Sequence, residues 1–561
     1  MVNGESFQPD KLTVRELLTN SYNFYTIPEY QRSFKWTRKE INQLIQDVLD
    51  SMGGTQEYFI GSIILIKKPD GFDVIDGQQR LITMTLILSA FYYKYRTSEL
   101  KKCLIDEDED RFKIKVAPRV EQRNEFQEGF LRDIINGKEP VLNSKNGFSK
   151  HYYEIKEFLC DNDLYKDEDK SKAYYKYLLD NVSLIRIYTE TEGFAVKLFY
   201  VMNTRGASLS NDEVIKVILY DKLNTRDRET FMGSWREIEN VQKQFNNIGE
   251  QSDNLERIFT LYSYYYLGEK PKTSVYDTYA KMITKGEKPL VIINKVGQFT
   301  NSLLELRKTH SREDKYINDD RVLYPFYYLY DKVLWQVILA TAINVNYNRV
   351  SDLAKELLRL NYLNWIAGHN SANIKDISIK MLKFVKEGKS ISQVINLVEG
   401  KIRDEELDKQ AIDNLKKNVY SDRPKSWLHA VLCLIEYDMY DDSGTAYIKQ
   451  HSKDAPSIDH ILPEKWKDIA YWTEQWNDGD AGEFIYKLGN MTLISLSTND
   501  KVKNIDFISK KRQYSGTIND ARATRYKINN SITNLQNWNR EELQKRQNWM
   551  IDRLKNILKS P

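Results

Sequence analysis

Apolar positions come first in short β-branched runs and later in helical stripes. YFIGSIILIKK (58–68) has the length and β-branched content of a strand, and FDVIDGQQR (72–80) predicts a second strand ending in a turn. LITMTLILSAFYYKY follows and reads as a buried helix, so the first hundred residues predict an α/β unit. Between about 100 and 180 the chain is charged and Tyr-rich, and DEDEDR (106–111) and YKDEDKSK (165–172) are expected to be solvated loops or helix ends. NVSLIRIYT (181–189) predicts a further strand, leading into a helical stretch, EGFAVKLFYVMN, and a turn, TRGASLSNDEVIKVILY. From about 221 to 400 amphipathic patterns such as FYYLYDKVLWQVILATAI and VSDLAKELLRLNYLNWIAG predict a helical scaffold with no catalytic signature. Helices continue through 396–450 and deliver the chain into SIDHILPEKW. The expected fold class is α+β, mostly helical, with domains at 1–220, 221–395 and 396–561; there is no internal repeat or low-complexity linker.

Composition narrows the class. At 561 residues the chain is too long for one core, while 41% hydrophobic and 29% charged residues are ordinary for a globular protein. The 37 tyrosines are expected mainly to complete cores, although some could stack on bases. Cys103, Cys160 and Cys433 are far apart and form no CxxC pair, so neither a cysteine zinc cage nor a disulfide framework is indicated. With no signal-like N-terminus and no apolar run of bilayer length, the chain is expected to be soluble, cytoplasmic and free of membrane partners. The net charge of +3 is uninformative, but its distribution is not. Residues 501–561 carry 14 Lys+Arg against 5 Asp+Glu, whereas 451–500 carry 4 against 9. A metal site beside a phosphate-binding surface would have this pattern, as would two solvated helices.

SIDHILPEKW (457–466) is followed by KLGNMTLISLSTNDKVKN (487–504). Asp459-His460, Pro463, Asn490 and Asn499 occur in that order, with nine residues from Asn490 to Asn499, and the set resembles the HNH, or ββα-metal, nucleases. The resemblance implies that Asp459 and Asn499 hold Mg²⁺ or Mn²⁺, oxygen ligands suiting a hard cation. It implies that His460 is the general base and that Asn490 ties down the loop carrying it, making Asp459, His460, Asn490 and Asn499 the candidate catalytic set. Taken singly, the Asp-His pair could be structural, Asn490 a turn and Asn499 a helix N-cap. The chain departs from the pattern in lacking bracing CxxC pairs and in placing Val502, flanked by Lys501 and Lys503, where a basic residue is expected. The wider frame, LGNMTLI with Phe507, Lys510, Lys511 and Tyr514, resembles the C-terminal domain of GmrSD-type, or type IV modification-dependent, restriction endonucleases.

Three further elements, IPEYQRSFKW (27–36), FIGSIIL with VIDGQQRL (59–81) and FYVMNTRGASL (199–209), resemble the N-terminal domain of the same group. That domain is ParB/sulfiredoxin-like and hydrolyses nucleoside triphosphates. The resemblance brings Gln31, Arg32, Asp76, Gly77, Gln78, Gln79, Arg80, Asn203, Thr204 and Arg205 to a nucleotide site. A strand running into Asp76-Gly77 and then a helix would aim N–H groups and a helix dipole at a phosphate, with Arg80 as its fork. The competing reading is a capping box of Asp76 with Gln79, and no Walker A string is present.

Together these features predict an NTP-regulated, metal-dependent DNA endonuclease that restricts modified or phage DNA. Its fold would join a ParB-like domain, a helical middle and a helical C-terminal domain containing the ββα-metal motif. Related fused proteins respond to glucosylated or methylated cytosine or to phosphorothioate, and this sequence does not single out a mark or a triphosphate. Two alternatives stay open: a nucleotide-switched ParB-like DNA-binding module without cleavage, and a toxin nuclease acting on host DNA or RNA. The expected partners are DNA, a nucleoside triphosphate and, as an option, a second copy of the chain in a homodimer.

Overall fold

A computed structural model describes residues 7–28, 30–31, 34–53, 57–116, 124–142, 147–190, 195, 198, 210–246, 254–307, 320–329, 333–421, 423–439, 456–495, 505–515 and 526–560. The fold is mostly helical α+β and divides into two compact units, Met1–Met232 with Tyr279–Leu290, and Gly233–Thr278 with Val291–Pro561. Among the described residues no helix is long and apolar enough to cross a membrane.

The first unit is built on a mixed sheet. Its strands are β1 (Gln8–Thr13), β2 (Tyr25–Ile27), β3 (Tyr58–Lys68), β4 (Gly71–Asp76), β7 (Ile114–Val116) and β8 (Val182–Thr189), in the order β1-β8-β3-β4-β2-β7. A separate two-stranded ribbon, β5 (Ile105–Asp106) with β6 (Arg111–Phe112), occupies the charged DEDEDR segment. β8 runs antiparallel to β1 and parallel to β3, β3 and β4 form an antiparallel hairpin, and β2 is parallel to both β4 and β7. Ile63 to Ile66 of β3 are buried in succession, as an apolar run must be when both sheet faces are covered. The helix Gln78–Tyr95 is buried almost all round, which its uninterrupted apolar sequence requires. YKDEDKSK turns into the helix Glu168–Asp180, whose N-cap Asp167 accepts the N–H groups of Asp169 and Lys170. EGFAVKLFYVMN falls mostly outside the described residues. The second half of the expected turn TRGASLSNDEVIKVILY is instead the helix Asn211–Asp221, which buries Val214, Ile215, Val217 and Leu219.

Helices make up most of the second unit. VSDLAKELLRLNYLNWIAG forms Val350–Ile366, as its periodicity predicts. FYYLYDKVLWQVILATAI is not one helix: a 3₁₀ turn, Tyr324–Tyr328, ends where Leu329 becomes extended (φ −64°, ψ 145°), and a new helix runs from Leu334 to Asn344. Near the C-terminus two strands, β9 (Pro456–His460) and β10 (Met491–Ser495), pair antiparallel and precede the helix Phe507–Ser515. Trp466, Trp472, Trp476, Phe484, Phe507 and Trp538 fill the core behind this hairpin. Tyr152, Tyr174, Tyr262, Tyr362, Tyr437 and Tyr514 are among the largest fully buried side chains, so tyrosine does complete the cores.

Candidate active site

β9 pairs with β10 so that His460 lies opposite Met491 and Asp459 opposite Thr492. Successive side chains on a strand point to opposite faces, and Asp459 therefore turns inward while His460 faces the other way. Lys510 and Tyr514, four residues apart on one face of the helix Phe507–Ser515, both reach the Asp459 carboxylate. The Lys510 ammonium donates to Oδ2 at 3.0 Å and to Oδ1 at 3.3 Å, and also to the His460 carbonyl. The Tyr514 hydroxyl donates to Oδ2. Burial, followed by the neighbouring Asp459 charge, pushes the Tyr514 phenol well above its ordinary pKa, which keeps it a donor. Lys510 is 0% exposed and Asp459 7%, so the pair is a buried ion pair closed by a third hydrogen-bonding group.

The His460 ring sits edge-on to Tyr420, 4.5 Å between centroids, with Tyr486 at 6.0 Å. Its Nε2 is buried and has no hydrogen-bond partner among the described residues. Such an orphan is uncommon, because an unmet buried polar atom costs about 1–3 kcal/mol. Burial lowers the His460 pKa below the usual imidazole value; Glu464 and Asp459 pull it up, and Lys510 pushes it further down. The ring is therefore neutral at pH 7, the form that accepts a proton.

Asn490 is fully buried and spends its whole amide on the chain around it. Nδ2 donates to the carbonyls of Leu462 (3.0 Å) and Ile485 (2.8 Å), while Oδ1 accepts from Leu462 N (2.8 Å) and Trp538 Nε1 (3.2 Å). The backbone leaving His460 is thus clamped on both polar atoms of Leu462. Gly489 has its own reason: a Cβ there would meet the Leu543 carbonyl at 2.8 Å and Gln547 N at 3.0 Å, so the helix Arg540–Ile557 can approach only a glycine. From that helix the buried Arg546 donates to the carbonyls of Gly489 and Met491, both at 2.7 Å, and fixes the start of β10. Asn499, like Lys501, Val502 and Lys503, lies outside the described residues.

In the first unit the two predicted motifs are tied to each other. Gln31 Nε2 donates to the Ile75 carbonyl (3.1 Å), and Gln79 Oε1 accepts the N–H groups of Lys35 (2.7 Å) and Trp36 (3.0 Å). Gly77 is the N-cap of the helix Gln78–Tyr95, at φ 92°, and no side chain caps it. The capping box of Asp76 with Gln79 is therefore not formed: the left-handed turn puts the cap one residue later and sends Gln79 to the other motif. A Cβ at Gly77 would lie 2.3 Å from Ile63 Cγ2, so glycine is demanded by conformation and by space. Arg80 crosses β3 over Gly61, donating to the Ile60 carbonyl at 3.0 Å and meeting Asp76 Oδ2 at 3.4 Å. Gly61 has φ 105°, a conformation that L side chains rarely adopt, which accounts for the glycine in FIGSIIL. Gln78 and Gln79 are buried, and Gln79 Nε2 has no partner among the described residues. Arg32, Asn203, Thr204 and Arg205 lie outside them.

Sequence reasoning assigned no role to Lys510, Tyr514, Tyr420 or Arg546. The available signal was the i, i+4 spacing of Lys510 and Tyr514 on a helix that follows the second strand; nothing local marks Tyr420 or Arg546.

These two sites coincide with two family matches. Residues 14–220 match the family described as GmrSD restriction endonuclease, N-terminal domain, and residues 404–553 match GmrSD restriction endonucleases, C-terminal domain. The protein is accordingly a restriction nuclease, an enzyme whose substrate is DNA. It belongs to the GmrSD restriction endonuclease family. No curated protein matches the chain.

Proposed function

We propose that the second unit cuts DNA as an HNH-type, metal-dependent nuclease and that the first hydrolyses a nucleoside triphosphate to regulate it, the substrate being modified or phage DNA. The observation that carries this reading is the buried Nε2 of His460, which has no partner among the described residues, a neutral ring nitrogen held on a hairpin whose inner face clamps Asp459.

A divalent cation is implied by the HNH resemblance, and the donor set suits one. A carboxylate has about four lone-pair sites. Lys510 and Tyr514 occupy Oδ2, whereas Oδ1 receives only the longer 3.3 Å contact and keeps capacity for a hard cation. Asp459 Oδ1 and the Asn499 amide oxygen would hold it. Among the described residues there is no cluster of three His, Cys, Asp or Glu, so a cation here would rely on Asn499, water and phosphate oxygens. When bound it would supply charge stabilisation at the scissile phosphate. His460 takes the proton of the attacking water at Nε2, and Asn490 keeps the ring in place by fixing Leu462. Lys510 and Tyr514 orient Asp459 and neutralise it between turnovers.

Support for the nucleotide reading is the link between QRSFKW and DGQQR together with the spare Gln79 Nε2. Arg80 spends two of its five N–H donors on the Ile60 carbonyl and Asp76 among the described residues, and the others would be available to a triphosphate.

The test incubates purified protein with modified phage DNA and with unmodified plasmid, with and without Mg²⁺ or Mn²⁺ and each nucleoside triphosphate. His460→Ala should lose about 10²–10⁴-fold in cutting while keeping triphosphate hydrolysis and its melting temperature, since it removes a base and an unmet polar atom. Wild-type cutting by that variant would end the HNH assignment.

A further inference from the structure

A cavity of about 560 Å³ opens in the second unit where the helix Val350–Ile366 ends, within the roughly 300–1,000 Å³ range of small-molecule sites. Two indoles line it, Trp365 and Trp427, along with Asn361, His369 and Asn370, and Lys425 is exposed beside them. The wall is built rather than accidental. Asn364 donates to the Asn370 carbonyl (3.0 Å) and accepts from Asn373 (2.8 Å), and Trp365 Nε1 donates to Ser426 Oγ (3.0 Å).

Among the described residues the wall leaves unused a set of base-edge partners. Asn361 Nδ2 is spent on the Leu357 carbonyl (2.8 Å), leaving Oδ1 as an acceptor, and Asn370 Oδ1 is spent on Ala372 N (3.0 Å), leaving Nδ2 as a donor. Gln410 donates to the Glu405 carbonyl, so its Oε1 faces His369 Nε2 at 3.2 Å as an acceptor, which fixes the His369 ring at the cavity wall. Aromatic faces combined with alternating amide donors and acceptors match a flat heteroaromatic ring with a hydrogen-bonding edge.

One segment connects this cavity to the catalytic histidine. Residues 418–421 and 423–427 include the bridge of Asn418 with Lys487, Val419 N bonded to the Tyr486 carbonyl (2.9 Å) and Lys425 N bonded to the Val419 carbonyl (2.9 Å). Tyr420 on this segment packs against His460, while Lys425, Ser426 and Trp427 at its other end line the cavity. Two residues on, His429 Nε2 bonds the carbonyl of Pro456, the first residue of β9.

We propose that this cavity captures a nucleobase lifted out of the duplex, and that its occupancy holds in place the neighbouring chain whose Tyr420 packs against His460. Capture would make cutting conditional on a base that leaves the stack and fits, which gives a restriction enzyme a place to read base modification. The inference rests on the nuclease reading and deepens it.

The test uses the full-length chain and short duplexes carrying 2-aminopurine next to one mismatched cytosine, next to 5-hydroxymethylcytosine, or next to paired cytosine. The reporter brightens when its neighbour leaves the stack. Wild type and His460→Ala should both brighten the mismatched or hydroxymethylated probe. Trp365→Ala should bind the base about tenfold or more weakly, the scale of one lost stacking partner, and Trp365→Phe should recover most of it. Asn370→Ala should shift the preference among the three probes, which a merely structural residue would not do. Unchanged brightening with Trp365→Ala, Asn361→Ala and Asn370→Ala, each melting like wild type, would overturn the proposal, as would DNA bound and cut by wild type with no brightening. Brightening by wild type without any cutting would instead sink the nuclease reading and leave the capture site standing.

Discussion

Replacing Lys510 with Met keeps the length and apolar stem of the side chain while deleting the charge that Asp459 faces. In the native protein the ammonium gives Oδ2 a 3.0 Å bond, Oδ1 a longer one, and the His460 carbonyl a third, all at 0% exposure. Deleting one partner of a buried pair leaves an uncompensated charge, and such changes cost about 3–5 kcal/mol. Tyr514 still donates to Oδ2, so Lys510→Met should fall toward the lower end, about 3 kcal/mol. Asp459→Asn combined with Lys510→Met should recover most of that loss, because neither partner then carries a charge. The assay is urea unfolding followed by Trp fluorescence, with the transition assigned through Trp472 and Trp538, which lie in the core behind the hairpin. A divalent cation supplies a second readout that needs no catalysis. Ligand that binds only the folded form raises stability by RT ln(1 + [L]/Kd). Mn²⁺ should therefore raise the melting temperature of Lys510→Met more than that of wild type, and that of Asp459→Asn not at all. A cost below about 1 kcal/mol for Lys510→Met, or a double variant no better than the single, would refute the claim that the ammonium neutralises a buried carboxylate. An equal Mn²⁺ response in all three proteins would refute Asp459 as a cation ligand.

Asn490→Ala orphans Leu462 N, two carbonyls and Trp538 Nε1 in a fully buried place, and at about 1–3 kcal/mol for each unmet group it should cost at least about 4 kcal/mol in urea unfolding. Arg80→Ala should lower triphosphate hydrolysis at least tenfold while losing only about 1 kcal/mol of stability, the value of its part-buried bond to the Ile60 carbonyl; normal hydrolysis would leave this motif as scaffold. His429 has its pKa lowered by burial, with the Pro456 carbonyl pulling it up. Its folded value therefore lies below the unfolded one, so its contribution is present above about pH 6.5 and is lost as pH falls below it; His429→Gln should flatten that acid-side slope in melting curves and cost about 1 kcal/mol at pH 7.

The expected strands at 58–68 and 181–189 and the buried helix after Asp76 were legible because their apolar runs are too long to be satisfied in any exposed conformation. β3, β8 and Gln78–Tyr95 bury those runs in the first unit. Sheet order was not legible, because β1, β2 and β7 are short and owe their places to partners distant in sequence, such as β8 for β1. Where a segment is apolar throughout, periodicity could not say where a helix stops. The break at Leu329 inside FYYLYDKVLWQVILATAI is a backbone event without a Gly or Pro at the break to announce it.

At the sites, residue spacing carried order along the chain but not what each side chain touches. Asp459, His460 and Asn490 do gather at one hairpin, yet Asp459 meets a lysine and a tyrosine that the motif did not assign, and Asn490 serves the surrounding backbone and the Trp538 indole. Asp76 and Gln79 have the spacing of a capping box, but a glycine between them turns left-handed at φ 92° and redirects the glutamine to Lys35 and Trp36. Both cases have the same cause. A polar group's partner is chosen by whichever donor or acceptor burial leaves nearest, and burial is decided by the apolar runs elsewhere in the chain. It follows that the roles of Lys510 and Gln79 are best tested by variants that preserve shape while changing polarity, such as Lys510→Met and Gln79→Leu. Deletions to alanine would confound the lost partner with a new cavity.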